Sequence, residues 1–292
     1  ITQGYDVRDI AVGDLFETGF IDSCVVASGY YSTGMTFAIV DRNGNAQTYR
    51  PSTGYRCNRV LIKGTDIYLC GNTFVTKYVK DGTAWVEDLA GWAKSIGEAK
   101  DMVIADAGNG ERLFVSSYGD RKVYSYLLDG TPEWASSIDA YGGNIAVGKI
   151  DTTRPGLQVV VTYQNGIRVF DKDGGILSTI SSPGSNVRTG LVLYDCDADG
   201  EDEIYFTDMG NNIFCLDRSG SSYITKYSSN GAYTTSAGLI NFDINKDGKD
   251  ELVAGTQNGK MLILSPELEI LSTIDTGLGN VVAGGFYYNY VF

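Results

Sequence analysis

The sequence contains no histidine, very little proline and no long run of apolar residues. The lack of histidine in a chain of 292 residues excludes histidine-based catalytic triads, HExxH zinc sites and imidazole general bases. No stretch approaches the roughly 18 apolar residues that a membrane-spanning helix needs, so we expect no membrane span. Lysine and arginine are nowhere clustered, and the net charge of −13 argues against a nucleic-acid partner.

The five cysteines include no CxxC pair, which argues against a zinc ribbon or a thioredoxin-like redox site. Cys57 and Cys70 flank a hairpin predicted at residues 63–66. Two interpretations of this pair remain open, a disulfide across the hairpin or two buried free thiols. The chain begins at Ile1 without an initiator methionine or a signal sequence, which fits a processed secreted protein and equally a segment of a longer chain.

The residues that are abundant point to a protein made of strands. The chain has 37 glycines and 20 tyrosines but only 5 prolines, which suits many short strands joined by tight turns. No segment keeps the spacing of three and four residues that an amphipathic helix requires. The sequence therefore predicts an all-β fold.

Acidic turns recur at a nearly constant spacing along the chain. Asp106, Asp151, Asp195 and Asp243 are separated by 45, 44 and 48 residues, and Asp14 precedes Asp106 by 92, which is twice 46. The missing member falls near residue 60, where two apolar strands are joined by a tight turn. This periodicity predicts six repeats.

Each repeat has the pattern of four short strands. The acidic turn follows the first strand, and a glycine turn follows the third, which is typical of the blades of a β-propeller. We predict a single domain over residues 1–292, a β-propeller of four-stranded blades with six full repeats plus the first strand of a seventh. The predicted repeats span residues 5–55, 56–96, 97–139, 140–183, 184–229 and 230–275, with the extra strand in 276–292.

The extra strand has no predicted partner within the chain. Residues 282–289 match residues 236–243, the first strand of the sixth repeat, at a separation of 46. An unpaired strand exposes backbone donors and acceptors that recruit partners. Our hypothesis is that this strand pairs with another subunit, or that the strand at residues 10–13 does so if the terminal strand displaces it from the ring. Such a head-to-tail contact need not close, and an open one builds a filament. The alternatives are that it packs on its own propeller or that the native chain continues beyond Phe292.

Two of the acidic turns carry a pattern that favours calcium. Residues 195–203 and 243–251 both read D-x-[DN]-x-D-G-x-x-E, with an aliphatic residue next. Oxygen side chains at alternate positions converge when the chain curls around a hard cation, and glycine permits the sharp turn. They are not EF-hands, because the closing carboxylate comes at the ninth place and a strand follows. We expect the thiol of Cys196 to point away from the metal, since calcium prefers oxygen.

The order of strand, acidic loop, strand and glycine turn resembles the FG-GAP or VCBS-type repeat of integrin-like β-propellers. The resemblance covers nearly the whole chain, while the full metal motif is present in two repeats of six. It implies two structural Ca²⁺ ions, each held by four side chains and one backbone carbonyl. The implied ligands are Asp195, Asp197, Asp199 and Glu203 with the carbonyl of Glu201, and Asp243, Asn245, Asp247 and Glu251 with the carbonyl of Lys249. The ninth residue of the family's loop is more often aspartate than the glutamate found here.

Three other acidic loops depart from the metal motif. Residues 14–22 place Phe16 and Thr18 where ligands belong, residues 106–111 are one position short, and residues 151–156 lack acidic third and fifth places. We expect no calcium at these loops. Aspartate, asparagine and glycine favour turns without any metal.

Three functions from different classes are compatible with this pattern. The first is a non-enzymatic, extracellular, calcium-stabilised module at the cell surface that acts in adhesion or assembly with a protein partner. The second is a lectin whose tyrosines, together with Trp85, Trp92 and Trp134, stack on a glycan, although the positions of the tryptophans after turn glycines favour blade packing. The third is a calcium-dependent polysaccharide lyase. We predict no catalysis, and we expect an extracellular location because such calcium sites bind at about 10⁻⁴ to 10⁻³ M.

Overall fold

The protein is a six-bladed β-propeller, which confirms the predicted fold class. The computed structural model describes residues 6–29, 36–52, 56–138, 140–229, 235–256 and 258–277, and each regular element in these ranges is a strand. The strands form six antiparallel sheets that follow one another along the chain. Within these ranges we find no helix with the length and apolar character needed to cross a membrane.

Each blade is a meander in which consecutive strands pair from the innermost to the outermost. Blades 1 and 2 contain β1 (Asp6–Gly13), β2 (Ser23–Gly29), β3 (Thr36–Asp41), β4 (Ala46–Tyr49), β5 (Cys57–Lys63), β6 (Asp66–Gly71), β7 (Phe74–Asp81), β8 (Ala84–Glu87) and β9 (Lys94–Ser95). Blades 3 and 4 contain β10 (Ala99–Asp106), β11 (Glu111–Ser117), β12 (Lys122–Leu127), β13 (Pro132–Ser137), β14 (Gly142–Gly148), β15 (Gln158–Tyr163), β16 (Gly166–Phe170) and β17 (Ile176–Ser181). Blades 5 and 6 contain β18 (Val187–Tyr194), β19 (Glu203–Asp208), β20 (Ile213–Ser219), β21 (Ser222–Ser228), β22 (Thr235–Phe242), β23 (Glu251–Thr256), β24 (Lys260–Leu264) and β25 (Ile270–Asp275).

Blade 2 differs from the others at both ends of its sheet. Its first two strands are joined by a tight turn, with Lys63 directly opposite Asp66, as the sequence predicted. On its outer side, β9 pairs with residues 74–75 of β7, next to the part of β7 that pairs with β8. The sequence did not predict this fifth strand, because two residues carry no periodic signal.

The hydrophobic core lies between the blades rather than at their centre. Five clusters of buried side chains join blade 1 to 2, 2 to 3, 3 to 4, 4 to 5 and 5 to 6. In blade 2, Val60 and Ile62 belong to the cluster with blade 1, while Leu61 belongs to the cluster with blade 3. Because successive side chains of a strand point to opposite faces, a strand buried on both faces is a continuous apolar run.

Cys57 and Cys70 are free thiols, so the disulfide interpretation is wrong and the buried-thiol alternative is confirmed. A register shift in β5 places Cys57 opposite Gly71 and Arg59 opposite Cys70. Cys57 packs in the cluster with blade 1, whereas Cys70 packs in the cluster with blade 3. The two side chains therefore lie on opposite faces of the blade 2 sheet, where no S–S bond can join them.

One face of blade 1 is not covered by the part of the chain that the structure describes. This open face consists of Ile10, Val12, Cys24 and Val26, on the side of β1 and β2 turned away from blade 2. Ile10 and Val12 are 47% and 41% exposed. The predicted extra strand follows blade 6, and apart from residues 276–277 it lies outside the described residues.

Candidate metal centre

The acidic loop of blade 5 folds around the side chain of its first residue. Asp195 follows β18 directly, and its two carboxylate oxygens accept hydrogen bonds from the N–H groups of Asp199 (3.2 Å) and Gly200 (3.0 Å). Ala198 and Gly200 have φ angles of 62° and 90°, in the left-handed region. Glycine adopts that conformation without strain, which is why the sixth place of the motif needs it.

The loop of blade 6 has the same conformation. Asp243 accepts hydrogen bonds from the N–H groups of Asp247 (3.1 Å) and Gly248 (2.9 Å), and Lys246 and Gly248 have φ angles of 64° and 89°. The N–H of Lys249 donates to Asp247 (2.9 Å), as the N–H of Glu201 donates to Asp199 in blade 5 (2.8 Å). Equal spacing of the acidic residues in the two loops thus produces equal backbone geometry.

The glutamate at the ninth place reaches back across each loop. Glu203 and Glu251 are buried at the start of β19 and β23. Their carboxylates accept hydrogen bonds from the N–H groups of the second loop residue, Cys196 and Ile244, at 2.8 Å each. In blade 5 one oxygen each from Asp195, Asp197 and Glu203 lies within 4.8 Å of the others. In blade 5 the longer glutamate side chain therefore still brings an oxygen to the centre of the loop. Asp199 is not part of this group, and among the described residues no such group of carboxylates forms in the blade 6 loop.

A lysine from the outer strand lies on the blade 5 loop. The ammonium of Lys226, on β21, contacts Asp197 at 2.6 Å and Glu203 at 2.7 Å, and Asp217 at 3.5 Å. Although partial burial opposes its charged form, the hydrogen bonds to Asp197 and Glu203 raise the pKa of Lys226 above its ordinary value. The same contact with Lys226 lowers the pKa of Asp197. Two of the predicted calcium ligands are thus engaged by an internal cation.

The corresponding place in blade 6 has no cationic side chain. In blade 5, Lys226 is the extra residue of a bulge, between Thr225 and Tyr227 in the pairing of β20 with β21. In the pairing of β24 with β25 the extra residue is Leu271, which is exposed. Among the described residues, no lysine or arginine makes an ion pair with Asp243, Asp247 or Glu251.

Asn245 takes part in the blade 6 loop through both ends of its amide. Its nitrogen donates to Asp247 (3.0 Å) and Glu251 (2.7 Å), and its oxygen accepts from the N–H of Asp247 (2.8 Å). With Asp243, these residues form a set of three carboxylates and one amide. Carboxylate and amide oxygens are the ligands that calcium prefers, so the donor chemistry of this loop fits the ion.

The side chain of Glu201 is turned away from the blade 5 loop. Its carboxylate accepts hydrogen bonds from Arg218 (2.8 and 2.7 Å) and from the backbone and hydroxyl groups of Thr152 (2.7 Å each). The Arg218 guanidinium lowers the pKa of Glu201 to about 2. Only the backbone of Glu201 remains for a metal, as the resemblance implied.

Cys196 points into the core between blades 5 and 6, where it packs against the cluster that contains Cys215. The expectation that its thiol is turned away from the metal loop is confirmed.

The loop of blade 1 has the backbone conformation of the metal motif but different side chains. Asp14 accepts hydrogen bonds from the N–H groups of Thr18 (2.7 Å) and Gly19 (2.8 Å), and Glu17 and Gly19 have positive φ angles. The hydroxyl of Thr18 donates to Asp22 at 3.0 Å. A hydroxyl thus occupies the fifth place, where the other two loops have a carboxylate.

The loops of blades 3 and 4 are turns held by their first aspartate. Asp106 accepts hydrogen bonds from the N–H groups of Gly108 (2.8 Å) and Gly110 (2.9 Å). Asp151 accepts from the N–H of Thr153 (2.9 Å) and pairs with Arg218 (3.1 Å). These contacts are the turn chemistry that the sequence favoured, and the lack of calcium at these loops stays a prediction.

The three tryptophans pack between strands and blades, as their positions after turn glycines indicated. Trp85 and Trp92 are buried and Trp134 is half-buried. Their indole N–H groups donate to the backbone carbonyls of Thr65 (2.8 Å), Leu128 (3.0 Å) and Lys172 (3.0 Å) respectively. Rings engaged in this way present little surface on which a sugar could stack.

Comparison with known proteins yields similarity of fold alone. No protein-family model matches the chain, and no curated protein matches it. Solved structures with a similar fold include a crystal structure of BBS1N in complex with ARL6DN, soaked with mercury, with a TM-score of 0.69 and 12% identity over 96% of this chain and 83% of that one. A second crystal structure of that complex, soaked with lead, has a TM-score of 0.69 and 12% identity, over 93% and 81%. At this level of identity, the similarity shows that the chain is a β-propeller.

Proposed function

We propose that the chain is a non-enzymatic, extracellular, calcium-stabilised propeller that acts as a surface adhesion or assembly subunit. In this proposal the open face of blade 1 binds a protein partner, the terminal strand of a second copy of the chain. A glycan is the alternative partner, and a calcium-dependent polysaccharide lyase is the alternative activity.

The exposure of the open face of blade 1 carries the proposal. Ile10 and Val12 occupy the positions in β1 that Val60 and Ile62 occupy in β5, because they lie three and one residues before the end of their strand. Val60 and Ile62 are only 1% and 7% exposed, because blade 1 covers them, whereas Ile10 and Val12 are 47% and 41% exposed. Removing apolar surface from water is favourable by about 25 cal/mol for each Å². A strand that covers this face, as blade 1 covers Val60 and Ile62, is therefore stabilised by the burial of Ile10 and Val12.

The choice of partner rests on the sequence of residues 276–292. Residues 282–289 repeat the pattern of residues 236–243, which include most of β22. The first strand of one blade is the element that packs on the first strand of the next, and β1 is such a strand. When this contact joins two copies it is heterologous, and repetition of it builds an open filament. The fold similarity to BBS1N, which was solved in complex with ARL6DN, agrees with a protein-binding role for a propeller.

The proposed calcium binding and the proposed extracellular location rest on the two acidic loops at residues 195–203 and 243–251. Their carboxylates repel one another unless a cation neutralises them, and a bound ion fixes the connection between the first two strands of a blade. Modules of this kind bind calcium at about 10⁻⁴ to 10⁻³ M, a range that extracellular calcium saturates. The lack of histidine and of a predicted set of convergent catalytic groups supports a structural role for the metal.

The experiment measures the molar mass of the full chain in solution with calcium, over a range of protein concentrations. We expect concentration-dependent assembly that Val12→Asp and deletion of residues 276–292 both abolish. Val86→Asp is the matched control, because Val86 is exposed to a similar extent (44%) on the outer strand of blade 2. Assembly that persists in Val12→Asp and in the deletion variant would overturn the proposal.

Two further measurements address the alternatives. Binding to a glycan array that depends on calcium would favour the lectin, and turnover of acidic polysaccharides would favour the lyase. The proposed assembly subunit shows neither.

A further inference from the structure

Lys226 connects the outermost strand of blade 5 to the loop between its first and second strands. Its ammonium lies 2.6 Å from Asp197 and 2.7 Å from Glu203, which are 29 and 23 residues away in the chain. Its side chain is only 16% exposed, and that of Glu203 is 1% exposed. The contact is therefore a largely buried ion pair. A solvent-exposed ion pair would contribute little to stability.

The ammonium and a calcium ion need the same two carboxylates. The ninth-place glutamate and the third-place aspartate are ligands implied by the motif, and Lys226 holds one oxygen of each. A calcium ion coordinated by these oxygens would lie within a few ångströms of the ammonium, where like charges repel strongly in a partly desolvated site. Calcium binding in blade 5 therefore requires that Lys226 moves away.

A second acceptor lies beside the ammonium. Asp217, near the end of β20, is 3.5 Å from the Lys226 nitrogen. It is not part of the loop motif. When calcium takes Asp197 and Glu203, Asp217 can keep the ammonium paired, so displacement does not leave an isolated charge.

Blade 6 lacks this competitor. Leu271 takes the bulge position of Lys226, and Asn245 takes the place of Asp197. In the described part of the chain no lysine or arginine side chain is paired with the carboxylates of this loop. The group that donates to Asp247 and Glu251 there is the uncharged amide nitrogen of Asn245, at 3.0 Å and 2.7 Å, so a cation reaches these carboxylates without displacing a charge.

We propose that Lys226 competes with calcium for Asp197 and Glu203, so that the blade 6 loop binds calcium first and the blade 5 loop binds it only at higher calcium. This inference rests on the proposed calcium function and adds an order of binding to it. The two loops, equal in backbone geometry, then differ in calcium affinity because of one side chain on a distant strand.

The test counts bound calcium by equilibrium dialysis of the full chain with radioactive calcium, after treatment with a chelator. We expect two steps of one ion each, with dissociation constants that differ about tenfold or more. Lys226→Met should strengthen the weaker step about tenfold and leave the tighter step unchanged. Lys226→Arg retains the positive charge, so both calcium-binding steps should keep their dissociation constants. This variant controls for a loss of structure caused by any substitution at this position. Lys122→Met, at an exposed lysine of blade 3, is the control for the change in net charge.

Single loop variants assign each step. Asp247→Ala should remove the tighter step, and Asp199→Ala the weaker one. Two ions bound with equal affinity, or a weaker step that is unchanged in Lys226→Met, would overturn the competition by Lys226 while the calcium function stands. No bound calcium in the unmodified chain would instead overturn the calcium function itself.

Discussion

Asp9 of blade 1 accepts a hydrogen bond from the backbone N–H of Val60 in blade 2, with 2.8 Å between oxygen and nitrogen. The side chain of one innermost strand thus holds the backbone of the next. Arg59 lies between Asp9 and Asp101, at 3.7 Å and 3.2 Å, so two carboxylates and one guanidinium connect blades 1, 2 and 3.

The same link continues into blades 4 and 5. Asp101 accepts from the N–H of Ile145 (3.2 Å), and Asn144 accepts from the N–H of Gly190 (3.0 Å). From blade 5 to blade 6 the link is replaced by close backbone contact, since a Cβ on Gly190 would lie 2.7 Å from the nitrogen of Leu239. A side chain on Gly190 would therefore collide with the backbone of blade 6.

The carboxyl group of Asp9 makes stability depend on pH. Burial raises the pKa of Asp9 to about 6, although the positive charge of Arg59 and the hydrogen bond from the Val60 N–H both lower it. A carboxyl whose folded pKa lies above its unfolded value of 3.8 stabilises the fold fully below that value, and this contribution is lost as pH rises through about 6. The difference between a pKa of about 6 and one of 3.8 corresponds to about 3 kcal/mol.

Comparison with Asp9→Asn isolates this effect. The variant keeps an oxygen that can accept from Val60 but cannot ionise. We expect the free energy of unfolding of the unmodified chain, relative to the variant, to fall by up to about 3 kcal/mol between pH 4 and pH 7. Urea unfolding at one-unit intervals measures it, and a difference that stays constant with pH would contradict the assignment.

Trp92 is the residue whose truncation we expect to destabilise the core most clearly. Its ring is fully buried between Tyr68 and Tyr126, and its N–H donates to Leu128 of blade 3. Trp92→Phe leaves a cavity and removes the indole hydrogen bond to the carbonyl of Leu128, which together cost about 2 to 4 kcal/mol.

Urea unfolding compares this variant with Leu89→Ala, a change at an exposed residue near Trp92 in the sequence. The control should change the free energy of unfolding by less than about 0.5 kcal/mol. Equal effects of the two substitutions would show that Trp92 does not hold blades 2 and 3 together.

The cysteines should behave as five separate thiols. Burial raises the pKa of the Cys57 and Cys70 thiols, so we expect neither to react with a thiol reagent in the folded protein. In denaturant without reductant all five should react, and the melting temperature should be the same with and without dithiothreitol. Only three reactive thiols in the unfolded chain would reveal a disulfide.

The sequence predicted the blades because one acidic turn marks the same point of each repeat. The spacing of the repeats is set by four acidic residues, Asp106, Asp151, Asp195 and Asp243. This spacing locates blade 2 even though its loop is reduced to a turn at residues 63–66. The order of the strands follows because consecutive strands of a propeller blade pair with one another.

The partners of the acidic loops could not be predicted in the same way. Lys226 meets Glu203 only because a bulge in the pairing of β20 with β21 adds one residue there. Arg218 binds Glu201 and Asp151 from two different blades, which depends on how the blades are placed side by side. Such contacts are set by register and packing, and a spacing pattern within one repeat does not contain them.

The ion pair of Glu201 with Arg218 should stabilise the fold without affecting calcium. A folded pKa lowered to about 2 means that this contribution is present above the ordinary pKa of glutamate and is lost as pH falls through about 2. Glu201→Gln should therefore lower the free energy of unfolding at pH 7. We expect a decrease of about 1 kcal/mol, because the pair is bidentate but lies near the surface.

Calcium titration of Glu201→Gln distinguishes the two roles of the residue. Because its side chain is turned toward Arg218 and Thr152, the affinity for calcium should equal that of the unmodified chain. A large loss of affinity would show that the carboxylate, and not the backbone carbonyl, reaches the metal.

The proposed metal loops should make the melting temperature depend on calcium. An ion that binds only the folded state stabilises it by about 2.7 kcal/mol at one hundred times its dissociation constant. Asp199→Ala combined with Asp247→Ala removes the fifth-place carboxylate of both loops, so the calcium-induced rise in melting temperature should disappear. Thr18→Ala, the same position in the loop of blade 1, is the matched control and should retain the rise. A rise that survives in the double variant would mean that calcium binds elsewhere in the chain.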